Sequence, residues 1–88
     1  MATDLKKQFA AAAEAVKKLK EDPGNAKKLE LYALYKQGAS GDVDGKRPGM
    51  LDPVGRAKYD AWAKVKGTSQ EDAMKKYVAL VKSLGAKV

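Results

Sequence analysis

Tyr32, Tyr35 and Lys36 stand close enough along the chain that, at about 100° per helical residue, they fall within one arc of roughly 100°. Two rings and an ammonium on one face can hold an aromatic anion, because a flat base stacks on a phenol ring and a phosphate gains most where ammoniums converge from different helices. Lys58 and Trp62 repeat the pairing one turn apart, and Tyr77 sets a further phenol at the edge of a later apolar stripe. Spacing also fits a plainer reading, in which the rings are core residues with wet polar tips and the lysines are solubilising charges. On spacing alone, core packing is the default.

Other chemistries find no residues to carry them. The chain has no His and no Cys, so the commonest general base, the usual zinc ligands and the thiol nucleophile are missing together. No serine lies in a nucleophile elbow. The segment GASGDVDGKR resembles a phosphate loop only in part: Ser40 stands where the first Gly belongs, and Arg47 replaces the hydroxyl that would hold magnesium. A calcium loop starting at Asp42 would place a ligand at Lys46, Gly at Arg47 and a bidentate Glu at Pro53, and all three are wrong. The expectation is no enzyme, no catalytic residue, no metal and no cofactor.

The elements that must position the rings and lysines are helices. Leu5, Phe9, Ala12, Val16 and Leu19 recur at steps of four and three, a stripe whose opposite face carries lysines. Asp22-Pro23-Gly24 stops it, and Asn25 is placed to N-cap a second helix through AKKLELYALYKQ until Gly38 and Gly41. From Gly41 to Gly55 four Gly and two Pro exclude regular structure. A third helix begins at Asp52-Pro53 or just after Gly55 and runs to Lys66, where Gly67 ends it. Capping boxes in two registers, Thr68 with Glu71 or Ser69 with Asp72, precede a fourth stripe at Met74, Tyr77, Val78, Val81 and Leu84. No alternating run and no internal repeat appears, so the class is all-α.

With 88 residues the chain fits one domain, residues 1–88, and without cysteine only its apolar core can hold it together. A net charge of +7 favours an anionic partner, first of all one bearing phosphate. Sixteen of the eighteen cations are lysine and only two arginine, which ranks nucleic acid lower because bidentate reading of guanine belongs to Arg. Glu14 interrupts the alanine run before a signal-peptide core could form, and the longest apolar stretch, Phe9 to Ala13, is far short of a membrane span. A cytoplasmic, soluble protein is expected. It is also expected to be monomeric, since four packed helices leave no apolar face over.

One longer pattern draws these pieces together. Tyr32-Ala-Leu-Tyr35-Lys36-Gln37, Gly41-Asp42, Arg47-Pro48-Gly49-Met50-Leu51-Asp52, Gly55-Arg-Ala57-Lys58-Tyr59-Asp60-Ala61-Trp62, Lys66-Gly67-Thr-Ser69 and Glu71-Asp-Ala73-Met74 with Tyr77 occur in an order that resembles the acyl-CoA-binding protein family. Phe9, Ala13, Val16, Leu19 and Pro23 extend the resemblance over nearly the whole chain. It implies a four-helix up-down-down-up bundle with a long overhand loop between helices two and three. It further implies that a long-chain acyl-CoA lies with its adenine and ribose among Tyr32, Tyr35 and Tyr77 and its 3'-phosphate near Lys36 and Lys58. Lys17 and Ala13 resemble further family positions near the ligand. Two residues depart from the pattern: Val54 stands where many members carry a lysine near the ligand, and Tyr59 replaces a usual tryptophan.

The expected function is therefore a non-catalytic carrier that binds long-chain acyl-CoA, shields its chain and passes it between membranes and enzymes through transient contacts. Two rival classes use the same residues. A nucleic-acid module would stack bases on the rings and set the lysines against phosphates, although no stable nucleic-acid partner is expected. An amphipathic membrane-surface protein would need only the basic charge.

Overall fold

The computed structural model describes residues 2–86, with side chains from residue 4 onward. Four helices follow one another: α1 (Ala2–Val16), α2 (Asn25–Ser40), α3 (Pro53–Lys64) and α4 (Gln70–Ser83). No strand occurs among the described residues.

Each helix ends for a local reason. The stripe of α1 reaches Leu19 in sequence, but the helix stops at Val16, and the amides of Lys17, Lys18 and Leu19 donate three residues back, to Glu14, Ala15 and Val16. Leu19 stays half-buried on this tightened turn. Asn25 is not the cap of α2 as expected. Gly24 takes that position at φ 91°, where a side chain would be strained, and Asn25 is the first helical residue. The Asp22 carboxylate orders the turn by accepting from the Lys28 ammonium and the Gly24 amide, both at 2.8 Å, which holds its pKa below the ordinary value.

Gly38 does not end α2, which continues to Ser40. It is buried where helices meet: a Cβ there would stand 3.0 Å from Phe9 Cζ and 3.1 Å from Met74 Cγ. Of the two starts open for α3, the Asp52-Pro53 one is found, with the Asp52 carboxylate accepting from the Gly55 amide at 3.0 Å. The helix stops at Lys64, two residues before the expected Lys66, in a turn closed by Thr68 N–H to Val65 O at 3.0 Å. Of the two capping registers, Ser69 with Asp72 is used, at 3.0 Å.

Contacts between elements set the directions. Tyr32 faces Lys58 and Lys36 faces Trp62, so α2 and α3 ascend together and are parallel. Gln70 reaches Gly38 while Tyr77 meets Tyr35, so α4 runs against α2. Leu5 lies beside Met74, and Ala15 beside Leu84, so α1 runs with α4. The order is up-down-down-up. A parallel pair obliges the chain to travel back along a helix before α3 can start. The segment from Gly41 to Asp52, about a dozen residues, reaches up to ~40 Å against ~18 Å for a helix of the length of α3. Two tethers lay this overhand loop on α3: Arg47 grips Asp60 through two bonds of 2.7 and 2.6 Å, and the Tyr59 hydroxyl donates to Gly45 O at 3.1 Å.

The core is Phe9, Ala12, Leu31, Leu34, Met74, Tyr77, Val78 and Val81, drawn from α1, α2 and α4. α3 contributes no fully buried residue and, among the helices, packs chiefly on α2. A polar hub compensates. Gln37 is completely buried, and its amide donates to Asp42 Oδ1 at 2.8 Å and Thr68 O at 2.7 Å while accepting from Trp62 Nε1 at 3.0 Å. Trp62 Nε1 shares its hydrogen with Gly41 O, and the Gly67 amide joins at Asp42 Oδ1.

Candidate functional site

The parallel pairing of α2 and α3 turns two helical spacings into one lattice. Tyr32 and Lys36 are four apart on α2, and Lys58 and Trp62 four apart on α3, so each pair lines one face about 6 Å apart along its axis. The partners cross over. The Lys58 ammonium lies 5.4 Å from the centre of the Tyr32 ring, and the Lys36 ammonium lies 5.1 Å from the Trp62 ring. Rings and cations thus alternate across the helix pair, each ammonium held over a π-face. Among the described residues neither lysine has a carboxylate within ion-pair distance, as is true of most lysines here, and what sets these two apart is the ring beneath each. Two cations from different helices thus stand over neighbouring rings of one helix pair.

Tyr35 adds a ring on the α1 side. It is 40% exposed, stacks on Phe9 at 5.2 Å between centroids and meets Tyr77 edge-on at 5.7 Å. Its inner face rests on core rings and its outer face is open. Tyr77 lies beneath it, 3% exposed and edge-on to Phe9 as well. Burial, with the neighbouring Tyr35, pushes the Tyr77 phenol pKa up. Ala13 is half-buried against the core one turn beyond Phe9. Lys17 is exposed past the end of α1, 3.4 Å from Glu14. The structure therefore brings Tyr32, Lys36 and Lys58 into one lattice, sets Tyr35 and Tyr77 in a ring cluster beside it, and places Ala13 and Lys17 on the α1 flank.

Next to the lattice a groove of about 470 Å³ runs between α2 and α3, with Leu29, Ala33, Ala57, Ala61 and Val65 along it and Glu30, Asp60 and Lys64 as its charged lining. Leu29 lies one turn before Tyr32, and Ala57 and Ala61 alternate with Lys58 and Trp62, so the apolar groove begins where the cationic lattice ends. A hollow of about 520 Å³ between the C-terminal ends of α1 and α4 has no chain neighbour of the lattice residues in its lining, so it is not the candidate.

Sequence reasoning missed Gln37, whose amide fixes Trp62 and with it the ring under Lys36. Its only signal was a polar residue on the buried side of an otherwise apolar turn. The departure Tyr59 has a use here, since its hydroxyl holds the overhand loop at Gly45. Val54 is 63% exposed at the start of α3, and with Met50 and Leu51, 83% and 102% exposed, it forms an apolar surface that the packing count had not anticipated. Among the described residues no group of His, Cys, Asp or Glu could hold a metal ion, and no helix is long and apolar enough to cross a membrane.

Comparison with known proteins places this arrangement. Residues 6–81 match the family model described as acyl CoA binding protein. An acyl-CoA-binding protein homolog of Manduca sexta is 53% identical over 81 residues, covering 91% of this chain and 90% of the relative, and one of Drosophila melanogaster is 48% identical over 83 residues, covering 94% and 96%. The crystal structure of Oryza sativa acyl-CoA-binding protein 2 superposes with a TM-score of 0.91 at 42% identity, covering 94% of this chain and 90% of that one. That of the Moniliophthora perniciosa protein gives 0.84 at 41%, covering 90% and 78%. The match spans all four helices, the overhand loop and the lysine–ring lattice, and the chain belongs to the acyl-CoA-binding protein family.

Proposed function

We propose that the protein binds long-chain acyl-CoA esters reversibly, as a non-catalytic carrier and pool former that moves them between membranes and enzymes by transient contacts. The observation that carries this reading is the crossed lattice: Lys36 and Lys58, each over a ring of the opposite helix, offer two ammoniums along one seam with Tyr32 and the open Tyr35 beside them. A 3'-phosphate is the group such a pair of ammoniums suits, and an adenine the flat body that fits an open phenol. Tyr77 supports the Tyr35 ring from beneath. Ala13 keeps the α1 flank shallow, and Lys17, exposed past the end of α1, offers a further cation to the remaining phosphates. The alkyl chain follows the α2–α3 groove, where apolar side chains replace water. Residues 1–88 act as one domain, monomeric and cytoplasmic, with no cofactor beyond the ligand itself.

Titration calorimetry with hexadecanoyl-CoA, free CoA and hexadecanoate in parallel tests this. One-to-one binding of the ester, with either half alone far weaker, is the expected outcome. Equal affinity for free CoA and the ester would remove the buried chain from the mechanism. Binding of an oligonucleotide in preference to the ester would overturn the carrier reading outright.

A further inference from the structure

Met50 and Leu51 occupy the two corner positions of a β-turn that the Asp52 amide closes onto Gly49 O at 3.1 Å. Corner positions of surface turns favour Pro, Asn, Asp and Gly, yet two large apolar residues stand here almost fully in solvent. The turn is braced: Asp52 caps α3 through Gly55, and its carbonyl receives the Arg56 amide at 2.9 Å. Val54, on the first turn of α3, extends the same apolar tip. The tip is thus held out by a rigid helix start.

Its surroundings are basic. Lys46 and Lys58 are exposed and Arg56 half-exposed. Of the nearby acids, Asp60 is engaged by Arg47 and Asp52 by its capping bonds, which leaves Asp44. Because α1 ends where α3 begins, Lys18 and Lys20, with Glu21 beside them, lie at the same end of the bundle. An apolar wedge flanked by Lys46, Arg56 and Lys58 is the chemistry of insertion into an anionic lipid surface. Three side chains are too few for a stable protein interface, which needs ~800 Å² per partner, whereas a bilayer accepts a wedge of any size.

We propose that the Met50–Leu51–Val54 tip docks the protein on anionic bilayers, the two turn residues entering the boundary between headgroups and acyl chains. Val54 and Lys58 are four apart on one face of α3, so docking turns the mouth of the lattice and its groove toward the lipid. The idea deepens the carrier reading and rests on it for its purpose, but docking itself is measured without acyl-CoA.

The chain has no cysteine, so Leu51→Cys carries a single environment-sensitive nitrobenzoxadiazole probe, with Lys7→Cys at the far end of the bundle as its control. With vesicles of phosphatidylcholine and phosphatidylserine, the probe at residue 51 is expected to brighten and shift to the blue while that at residue 7 does not. In co-sedimentation the double variant Met50→Ser, Leu51→Ser is expected to lose roughly tenfold or more in vesicle affinity, in line with two buried apolar side chains withdrawn. Its helical circular dichroism and its hexadecanoyl-CoA affinity in solution should stay unchanged. A silent probe at residue 51, or a double variant that binds these vesicles as tightly as the parent, would overturn the proposal whatever calorimetry says of the ester. So would vesicle indifference joined to crosslinking of residue 51 to an acyl-CoA-using enzyme, which would assign the tip to a protein.

Discussion

Lys36 and Lys58 are the residues on which the proposed site turns. Replacing either by Ala removes one charged donor from the phosphate, and a hydrogen bond to a charged group is worth ~1.5–3 kcal/mol, so ester affinity should fall about tenfold to a hundredfold by calorimetry. Thermal stability should move little, because neither lysine is fully buried and each gives up a single ring contact. The lattice was legible as two separate helical faces, since i,i+4 spacing is a local property. Its crossing was not, because Lys36 meets Trp62 and Lys58 meets Tyr32 only through the parallel packing. Asp42 shows the same limit. The Gly67 amide and then the Gln37 amide hold its pKa below the ordinary carboxylate range, through partners no local pattern names. A carboxylate that binds its proton later when folded contributes fully above the unfolded value of ~3.9 and loses that contribution as pH falls through the folded one. Asp42→Ala should therefore be less stable than the parent at neutral pH, and the gap between their denaturant midpoints should shrink as pH drops below about 4.

Among the elements, α2 is the one that touches α3 and α4 and carries the positions least tolerant of change. Gln37→Leu strips partners from Asp42, Thr68 and Trp62 together and should cost ~2–4 kcal/mol in urea unfolding, with Trp62 fluorescence reporting the loosened ring. Gly38→Val should cost ~1–3 kcal/mol, since a Cβ already stands 3.0 Å from Phe9 before any branch is added. The apolar stripes of α1 and α4 were readable because their burial follows the 3.6 period. α2 was harder, since Tyr32, Lys36 and Gln37 serve three different neighbours and blur any single stripe. End positions were harder still. Asn25 is a better cap than Gly24 by side chain, but the turn set by Asp22 demands a positive φ that only glycine takes freely.

For the whole molecule, the apolar groove between α2 and α3 predicts a ladder of affinities. Each methylene that enters it should add up to ~0.8 kcal/mol, about fourfold, and the gain should end abruptly when the groove is full. A series of saturated acyl-CoA esters titrated in order would locate that end, and a flat series would place the chain outside the groove. The all-α class was plain from the sequence, and the resemblance implied the bundle's topology; the residues alone announced only that a long Gly/Pro segment joins two helices. Its parallel consequence has a further side in time. α1 packs on α4, the partner farthest from it in the chain, and the Gln37 hub waits for residues up to 31 positions away. A bundle assembled from such distant pieces must close large loops before its contacts reward it, so its refolding in a stopped-flow mixer should take on the order of milliseconds or longer, not the microseconds of simple up-and-down bundles.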